Sequence, residues 1–294
     1  MNLRDLEYLV ALAETRHFGR AAGRCHVSQP TLSAQLRKLE DFLGVALLER
    51  RPGPLALTAA GDAVVERARR ILRDAEDIRS LARASQDPLS GPLKVGLIPT
   101  LGPYLLPRAA PRIAKALPKL SLLLHEYQTA PLIERTLAGE LDLAILALPA
   151  ETKGLVTRAL FDEAFLVAMP ARHRLAAKKR VKASELEGEK LLLLEEGHCL
   201  RDQALEVCER VGTEEQAFRA TSLETLRQMV ASGLGLTLLP QLAAEGPFAS
   251  AHGLVVRPFA SPAPRRVIGA AWRRSTSRGA AITAVCDLIV RAAP

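Results

Sequence analysis

The sequence predicts an α+β protein of several domains: an N-terminal winged helix-turn-helix, a long linker helix, and a C-terminal α/β effector domain of two lobes. Three observations predict this fold class. Short amphipathic helices followed by a short hairpin cover residues 1–58, a helical pattern ending in a Pro/Gly hinge covers 59–91, and strands alternate with helices over 92–294. A chain of 294 residues is long enough for two or three such domains.

The first domain contains three predicted helices. The first two are short and are marked by apolar residues at helical spacing. The third begins at Ser28-Gln29-Pro30-Thr31, because serine caps helix starts and proline is accepted in a first turn, and it ends near Gly44. Two short helices, a tight connection and a third helix with a polar face match the helix-turn-helix layout.

A wing and a dimerisation helix are predicted next. Residues 47–57 have the pattern of two short strands around a basic Pro/Gly turn. Thr58 is placed to cap the following helix, in which Val64, Ile71 and Ile78 repeat every seven residues. Because such a seam needs a partner helix, the sequence predicts that 59–86 holds two chains together.

The effector domain is predicted to hold a mostly parallel sheet, because strands alternate with amphipathic helices. Lobe I is placed at 92–163 and 268–294 and lobe II at 164–267, with strands shared between them. Ligands of such sheets bind beyond the carboxyl ends of the strands. Three segments that follow predicted strands are therefore expected to converge: Thr100, Thr129 and Gly197-His198-Cys199. The predicted strands are 93–98, 120–126, 141–148, 165–169, 190–194 and 234–239.

Cys199 and Cys208 belong to one predicted helix, residues 199–211. Nine helical residues span about 13 to 14 Å, whereas a disulfide needs Cα atoms within about 7 Å. A bond between these cysteines would therefore unwind the helix. The helix N-terminus and Arg201 are expected to favour a Cys199 thiolate. The alternative interpretation is two small apolar residues in a reduced interior. Cys25 and Cys286 lie on apolar helix faces and are predicted to be structural.

Charge and composition narrow the function classes. The net charge is +8, and residues 16–51 carry seven basic and three acidic side chains. The start of the chain lacks a signal-peptide pattern and no stretch is long and apolar enough to span a membrane, so a cytoplasmic location is expected, where disulfides are transient. No metal-binding motif, cofactor motif or hydrolase motif is present. A C-terminal cluster of arginines is interpreted as a solvated face or subunit contact: Arg257, Arg265, Arg266, Arg273, Arg274, Arg278 and Arg291.

The sequence resembles a known family over essentially its whole length. The N-terminal pattern resembles the LysR-type transcriptional regulators, and segments of the effector domain are similar to the OxyR branch of that family, the hydrogen-peroxide sensors. The N-terminal segments are Leu6–Leu9, Phe18–Ala22, Val27–Ser33 and Leu39–Glu40, and the effector segments are Gly96–Thr100, Gly197–Ala204 and Arg219–Thr225.

The resemblance implies an effector domain like the periplasmic binding proteins and a homotetramer, a dimer of dimers, on double-stranded promoter DNA. It implies a peroxide-reactive Cys199, a resolving Cys208, a peroxide site formed by Thr100, Thr129 and His198, and Arg266 near the thiolate. RNA polymerase and a thiol reductant are further expected partners. The expected DNA contacts are Ser28, Gln29, Pro30, Thr31, Ser33 and Arg37 on the third helix and Arg50 in the wing.

Each assignment has a structural alternative. Arg37 could lie on a solvated face, Thr100 and Thr129 could cap helices or strand ends, and His198 could satisfy backbone groups. Arg266 could be a surface charge. Two other functions also fit the sequence: a regulator that binds a metabolite in the cleft between the lobes, and a thiol peroxidase fused to a DNA-binding module. The helix-turn-helix and linker favour a regulator that is not an enzyme.

Overall fold

The computed structural model describes residues 1–49, 55–209, 214–245 and 253–294. Residues 1–82 and 83–294 form two compact units. Within the described ranges, no helix combines the length and apolar character that crossing a bilayer requires.

The first unit has the helices that the sequence predicts. Its core consists of Tyr8, leucines and alanines from the first three helices, together with Leu47 and with Val65 of the fourth helix. Leu48 and Leu57 form an antiparallel bridge, which is the described base of the predicted wing. The tip of the wing, with Arg50, lies outside the described residues. The helices are α1 Leu3–Thr15, α2 Phe18–Arg24, α3 Gln29–Leu43 and α4 Ala59–Gln86.

Helix α3 begins and ends where the sequence predicts. Ser28 has extended backbone and its hydroxyl accepts a hydrogen bond from the Thr31 amide at 3.3 Å. Gly44 closes the helix in the left-handed region, at φ 70°, which glycine adopts without strain. Leu32, Leu36 and Leu39 lie on the buried face, so the opposite face, with its polar side chains, is turned to solvent.

The start of α4 packs directly on the wing. The Thr58 hydroxyl donates to the Ala46 carbonyl at 2.7 Å and accepts from the Gly61 amide at 2.9 Å. A Cβ atom on Gly61 would lie 2.1 Å from the Leu47 carbonyl oxygen. Only glycine therefore allows this approach between helix and strand.

We expect Gly61→Ala to lower the free energy of unfolding of the first unit by about 1 to 3 kcal/mol, the usual effect of overpacking. Urea unfolding of the full chain measures it. Gly23→Ala is the matched control, because a Cβ at Gly23 meets nothing within 4 Å, and alanine is the better helix former. If the two substitutions changed the free energy of unfolding equally, the close contact with Leu47 would not be the cause of the loss.

The second unit contains nine strands and five α-helices among its described residues. The strands are β1 Gly91–Leu97, β2 Leu120–Glu126, β3 Leu143–Leu148, β4 Leu155–Pro170, β5 Lys190–Leu194, β6 Glu214–Ala220, β7 Thr237–Pro240, β8 Leu254–Pro258 and β9 Arg265–Arg273. The helices are α5 Gly102–Ala116, α6 Thr129–Ala138, α7 Cys199–Glu209, α8 Leu223–Ala231 and α9 Gly279–Val290.

The main sheet is mixed, and the prediction of a mostly parallel sheet is wrong. Its order is β2-β1-β3-β9-β4-β7, with β8 also paired to β4. Strand β1 is parallel to β2 and β3, but β9 is antiparallel to β3 and β4, and β7 and β8 are antiparallel to β4. The sequence pattern missed β9, which returns from the C-terminal part of the chain to lie between β3 and β4.

Strand β4 is shared by two parts of the unit. Residues 155–164 pair with β9, whereas 165–170 pair with β7 and β8. The sequence predicted such sharing. The segment containing Thr100 follows the carboxyl end of β1, and α6 with Thr129 follows that of β2. Because β1 and β2 are parallel, both segments lie at the same edge of the sheet.

Candidate functional site

Cys199 and Cys208 lie on one helix, as the sequence predicts. Cys199 is the first residue of α7, which continues to Glu209; the predicted end at 211 lies outside the described residues. At about 1.5 Å of rise per residue, the two Cα atoms are about 13 to 14 Å apart. This exceeds the limit of about 7 Å for a disulfide, so the helical form keeps the cysteines out of bonding range.

Cys199 and Thr129 line a cleft of about 480 Å³. Its walls come from the first turns of α6, the end of β3 with the segment that follows it, and the start of α7. The lining contains both apolar side chains and carboxylates. The apolar residues are Ala130, Ile133, Ala147, Pro149 and Ala150, and the acidic residues are Glu134, Glu151 and Asp202.

Burial raises the pKa of the Cys199 thiol above its ordinary value. The positive charge of Arg266, the Thr129 hydroxyl and the Leu200 amide act in the opposite direction, while the negative charge of Asp202 raises the pKa further. Desolvation is the largest of these effects, so the protonated thiol is favoured in this form of the protein.

The expectation of a favoured Cys199 thiolate is therefore wrong for this form of the protein. The expectation that Arg201 is the cation acting on this thiol is also wrong. The sequence reveals the helix start but not how deeply the sulfur is buried. Arg201 is buried, and its guanidinium donates to the Leu194 carbonyl at 3.4 Å. The cation that acts on Cys199 is Arg266, from β9.

The Thr129 hydroxyl is open to a further partner. Its oxygen is buried and has no hydrogen bond of good geometry among the described residues, although the hydroxyl lies close enough to lower the pKa of Cys199. The contact between this hydroxyl and the sulfur is therefore weak. A buried hydroxyl without a hydrogen-bond partner can donate a hydrogen bond to a small ligand or accept one from it.

Arg266 lies in a fully buried ion pair rather than on a solvated face. Its Nη2 is 2.8 Å from Oε2 of Glu163, and its Nε donates to the same oxygen at 2.9 Å. Both side chains are 0% exposed. The Glu163 Oε1 accepts from the Leu242 amide at 2.9 Å. The interpretation of the C-terminal arginines as a solvated face is also wrong for Arg278, which is buried and donates to the Ser90 carbonyl at 2.7 Å.

Thr100 is held by Arg266 and is itself buried. The Arg266 Nη1 donates to the Thr100 hydroxyl at 3.0 Å and Nη2 donates to its carbonyl at 3.2 Å. Arg266 thus holds Thr100 by hydrogen bonds and acts on Cys199 through its charge. None of the contacts places Thr100 on the cleft wall, where Thr129 and Cys199 lie.

His198 precedes Cys199 and is buried. Burial lowers the pKa of its imidazole, and the charge of Glu195, whose Oε1 is 3.9 Å from Nε2, acts to raise it. The imidazole is therefore neutral at neutral pH, with one nitrogen able to donate and the other able to accept a hydrogen bond.

Sequence reasoning missed three residues of this region: Glu163, Asp202 and Gln128. Glu163 gave no distinct signal, because it lies beside Asp162 and outside the predicted strand 165–169. Gln128 gave none. Its Oε1 would lie 2.6 Å from a Cβ on Gly197, whose φ is +90°. Glycine is thus required where this loop meets the start of α6.

The other described cysteines fit structural roles. Cys286 is 0% exposed, and burial raises its pKa to about 11. Cys25 is half-buried at the end of α2, and burial raises its pKa as well. Neither residue lines the cleft that contains Cys199.

The predicted DNA-contacting residues of α3 lie mainly on its exposed side. Ser33 is half-buried, and the hydroxyls of Ser28 and Thr31 are 2.8 Å apart. Glu40, on the same helix, accepts hydrogen bonds from the amides of Leu47 and Leu48 at 2.7 and 3.1 Å, which fixes the base of the wing beside α3. The exposed residues are Ser28, Gln29, Pro30, Thr31 and Arg37.

Two family models match nearly the whole chain. "Bacterial regulatory helix-turn-helix protein, lysR family" matches residues 3–62, and "LysR substrate binding domain" matches residues 86–294. The protein therefore belongs to the LysR family of DNA-binding transcriptional regulators, as its N-terminal motif predicts.

Relatives within this family carry the name OxyR. The chain is 52% identical over 274 residues to the "DNA-binding transcriptional dual regulator OxyR" of Escherichia coli K12, covering 93% of this chain and 90% of that protein. A full-length Pseudomonas aeruginosa OxyR variant has a TM-score of 0.75 at 45% identity, covering 98% of this chain and 94% of that one. A Corynebacterium glutamicum OxyR variant described as H2O2-bound has a TM-score of 0.68 at 36% identity, covering 99% and 92%.

Proposed function

We propose that the protein is a peroxide-sensing transcription regulator that reads hydrogen peroxide through Cys199 and Cys208. One observation carries the proposal. A half-buried thiol at the start of α7 lines a cleft beside the buried Thr129 hydroxyl, under the influence of a buried arginine, in a helix that also contains a second cysteine. The similarity to OxyR proteins, one of them described with hydrogen peroxide bound, supports it.

The chemistry proceeds in two steps. The Cys199 thiolate attacks one peroxide oxygen, the O–O bond breaks, and the leaving hydroxide takes a proton to become water. The sulfur becomes a sulfenic acid. The Cys208 thiol then attacks that sulfur, which releases a second water and forms the disulfide. Two electrons pass from the two sulfurs to one peroxide molecule.

Each neighbouring residue has a role in this proposal. The Thr129 hydroxyl binds the peroxide next to sulfur, and neutral His198 offers a second hydrogen-bonding group. Arg266 stabilises the thiolate when the proton leaves, and Thr100 holds the guanidinium in place. Burial keeps the resting thiol protonated, so the nucleophile forms only when these groups act together.

Disulfide formation unwinds α7 and changes how subunits are arranged on DNA. The proposed assembly is a cytoplasmic homotetramer in which 59–91 links the DNA-binding domain, 1–58, to the effector domain, 92–294. The exposed residues of α3 and Arg50 contact the promoter, RNA polymerase reads the change, and a thiol reductant resets it. Each oxidation is one signal rather than a catalytic turnover.

Cys199→Ser tests the proposal directly. We expect the variant to bind promoter DNA normally and to lose the peroxide response. Mass spectrometry after stoichiometric peroxide should show the loss of two hydrogens, mapped to Cys199 and Cys208, in the unmodified chain and not in Cys199→Ser. Cys286→Ser is the control and should respond like the unmodified chain. A normal response from Cys199→Ser would refute the mechanism, and sustained turnover with a thiol reductant would identify a peroxidase instead.

Asp202→Asn should make Cys199 more reactive. The negative charge of Asp202 raises the pKa of the Cys199 thiol, so its removal lowers that pKa and increases the thiolate fraction at neutral pH. The increase should be smaller at high salt, because Asp202 is exposed. Glu134→Gln is the matched control. It removes a charge from the same cleft, but Glu134 is not among the groups that shift the pKa of Cys199. Thiolate absorbance against pH measures both variants, and equal shifts would contradict a direct effect of Asp202.

The volume of the cleft favours a second candidate. About 480 Å³ falls in the range of small-molecule pockets, so a regulator that binds a metabolite also fits. In that case Cys199→Ser would keep its regulatory response, and a metabolite would raise the melting temperature of the reduced protein.

A further inference from the structure

A strongly basic segment follows β4 in the second unit. Residues 172–182, called here the basic face, contain six lysines and arginines and no acidic residue. All six of these side chains are exposed. No large apolar side chain of this segment is exposed. The six are Arg172, Arg174, Lys178, Lys179, Arg180 and Lys182.

The backbone of the basic face is held firmly. Leu175 and Val181 are 0% exposed and anchor the segment in the core. Arg257, on β8, donates from Nε to the Lys178 carbonyl at 2.7 Å and from Nη2 to the Ala176 carbonyl at 2.9 Å. The cations therefore stand on a fixed surface, not on a flexible loop, and Arg257 adds positive charge beneath it.

Three of the six cations have a counter-charge. Arg174 is 2.7 Å from Glu189, Lys178 pairs with Glu185, and the charge of Lys182 also acts on Glu185. For Arg172, Lys179 and Arg180, no side-chain ion pair or hydrogen bond occurs within the part of the chain that the structure describes. Like charges crowded in this way repel one another, and an external anion relieves that repulsion.

We propose that the basic face binds the phosphate backbone of double-stranded DNA, in addition to the contacts made by α3. Lysine and arginine on a rigid surface are the groups that contact DNA phosphates, without regard to sequence. The protein belongs to a family of DNA-binding regulators, so DNA is the polyanion that this face is expected to meet. A protein partner fits less well, because protein interfaces have an apolar core and this face exposes no large apolar side chain. The proposal is independent of peroxide sensing.

The test compares two triple variants of the reduced full-length protein. One removes the unpaired cations: Arg172→Gln, Lys179→Gln and Arg180→Gln. The matched control removes three exposed cations from elsewhere in the same unit, Lys115→Gln, Lys153→Gln and Arg274→Gln, and so changes the net charge equally. Fluorescence anisotropy with a long mixed-sequence duplex gives the dissociation constant at several salt concentrations.

We expect the slope of log K against log salt to fall by about 3 for each protomer whose basic face contacts DNA, since each neutralised phosphate contributes about 0.9. The control variant should change the slope by less than about 1. Equal slopes for all three proteins, or equal losses in both variants, would overturn the proposal. Equal unfolding midpoints in urea establish that both variants are folded; if one is not, the single variant Arg180→Gln replaces it, with an expected change of about 1.

Formaldehyde cross-linking provides a second measurement. Lys179 and Lys182 should cross-link to the duplex in the unmodified protein, more than Lys115 and Lys153 do. Polyglutamate of matched charge separates the alternatives. If polyglutamate binds as tightly as DNA and the first variant loses both equally, the face serves an acidic protein and the DNA proposal is wrong.

Discussion

Replacing Arg266 by methionine should lower the free energy of unfolding of the second unit by about 3 to 5 kcal/mol, the usual effect of removing one partner of a buried ion pair. Glu163 is 0% exposed and faces the guanidinium through contacts of 2.8 and 2.9 Å. The substitution leaves its carboxylate with one described hydrogen bond, from the Leu242 amide. Urea unfolding of the reduced protein measures the loss.

The double variant Arg266→Met with Glu163→Gln is the control for this prediction. It removes both charges, so most of the lost stability should return. A coupling energy near zero in the double-mutant cycle would show that the two side chains are not paired in solution. Peroxide reactivity should not return with stability, because Arg266 is the cation that lowers the pKa of Cys199. Stability and reactivity therefore separate the structural role of the pair from its electrostatic role.

Glu163 also shows why part of the site could not be predicted. Its partner Arg266 is 103 residues away along the chain, and no local pattern links the two positions. The antiparallel placement of β9 beside β4 brings them together, with Glu163 directly opposite Arg266 in the register. The sequence pattern missed β9 and gave a mostly parallel sheet, so the ion pair could not be derived from it.

Local signals were more successful. The Ser28 cap, the Gly44 end of α3 and the exact extent of α4 follow from interactions within a few residues. The helical spacing around Cys199 likewise predicted α7. The prediction that failed at Cys199 was the direction of its pKa shift. The position of a residue in a helix is a local property, whereas its burial depends on the whole fold.

Replacing Glu206 by glycine should make the disulfide easier to form than replacing it by alanine. Both substitutions remove the same side chain from the middle of α7, so they differ in helix propensity, by about 1 kcal/mol. That difference destabilises the helical, reduced form. An oxidised form that has lost the helix is not destabilised by this difference in helix propensity. The equilibrium constant for disulfide formation should therefore be about 5-fold larger for Glu206→Gly than for Glu206→Ala.

The measurement is a redox titration of Cys199 and Cys208 in both variants, read by mass spectrometry. The expected difference is a midpoint about 20 mV more negative for the glycine variant, since about 30 mV corresponds to 1.4 kcal/mol for two electrons. Hydrogen exchange adds the structural side: amides of α7 should lose protection on oxidation, because Leu200 and Ala204, buried in the reduced form, leave the core. Equal midpoints with protection retained would mean that the cysteines join without unwinding α7, and the proposed link from oxidation to subunit rearrangement would then have no structural basis.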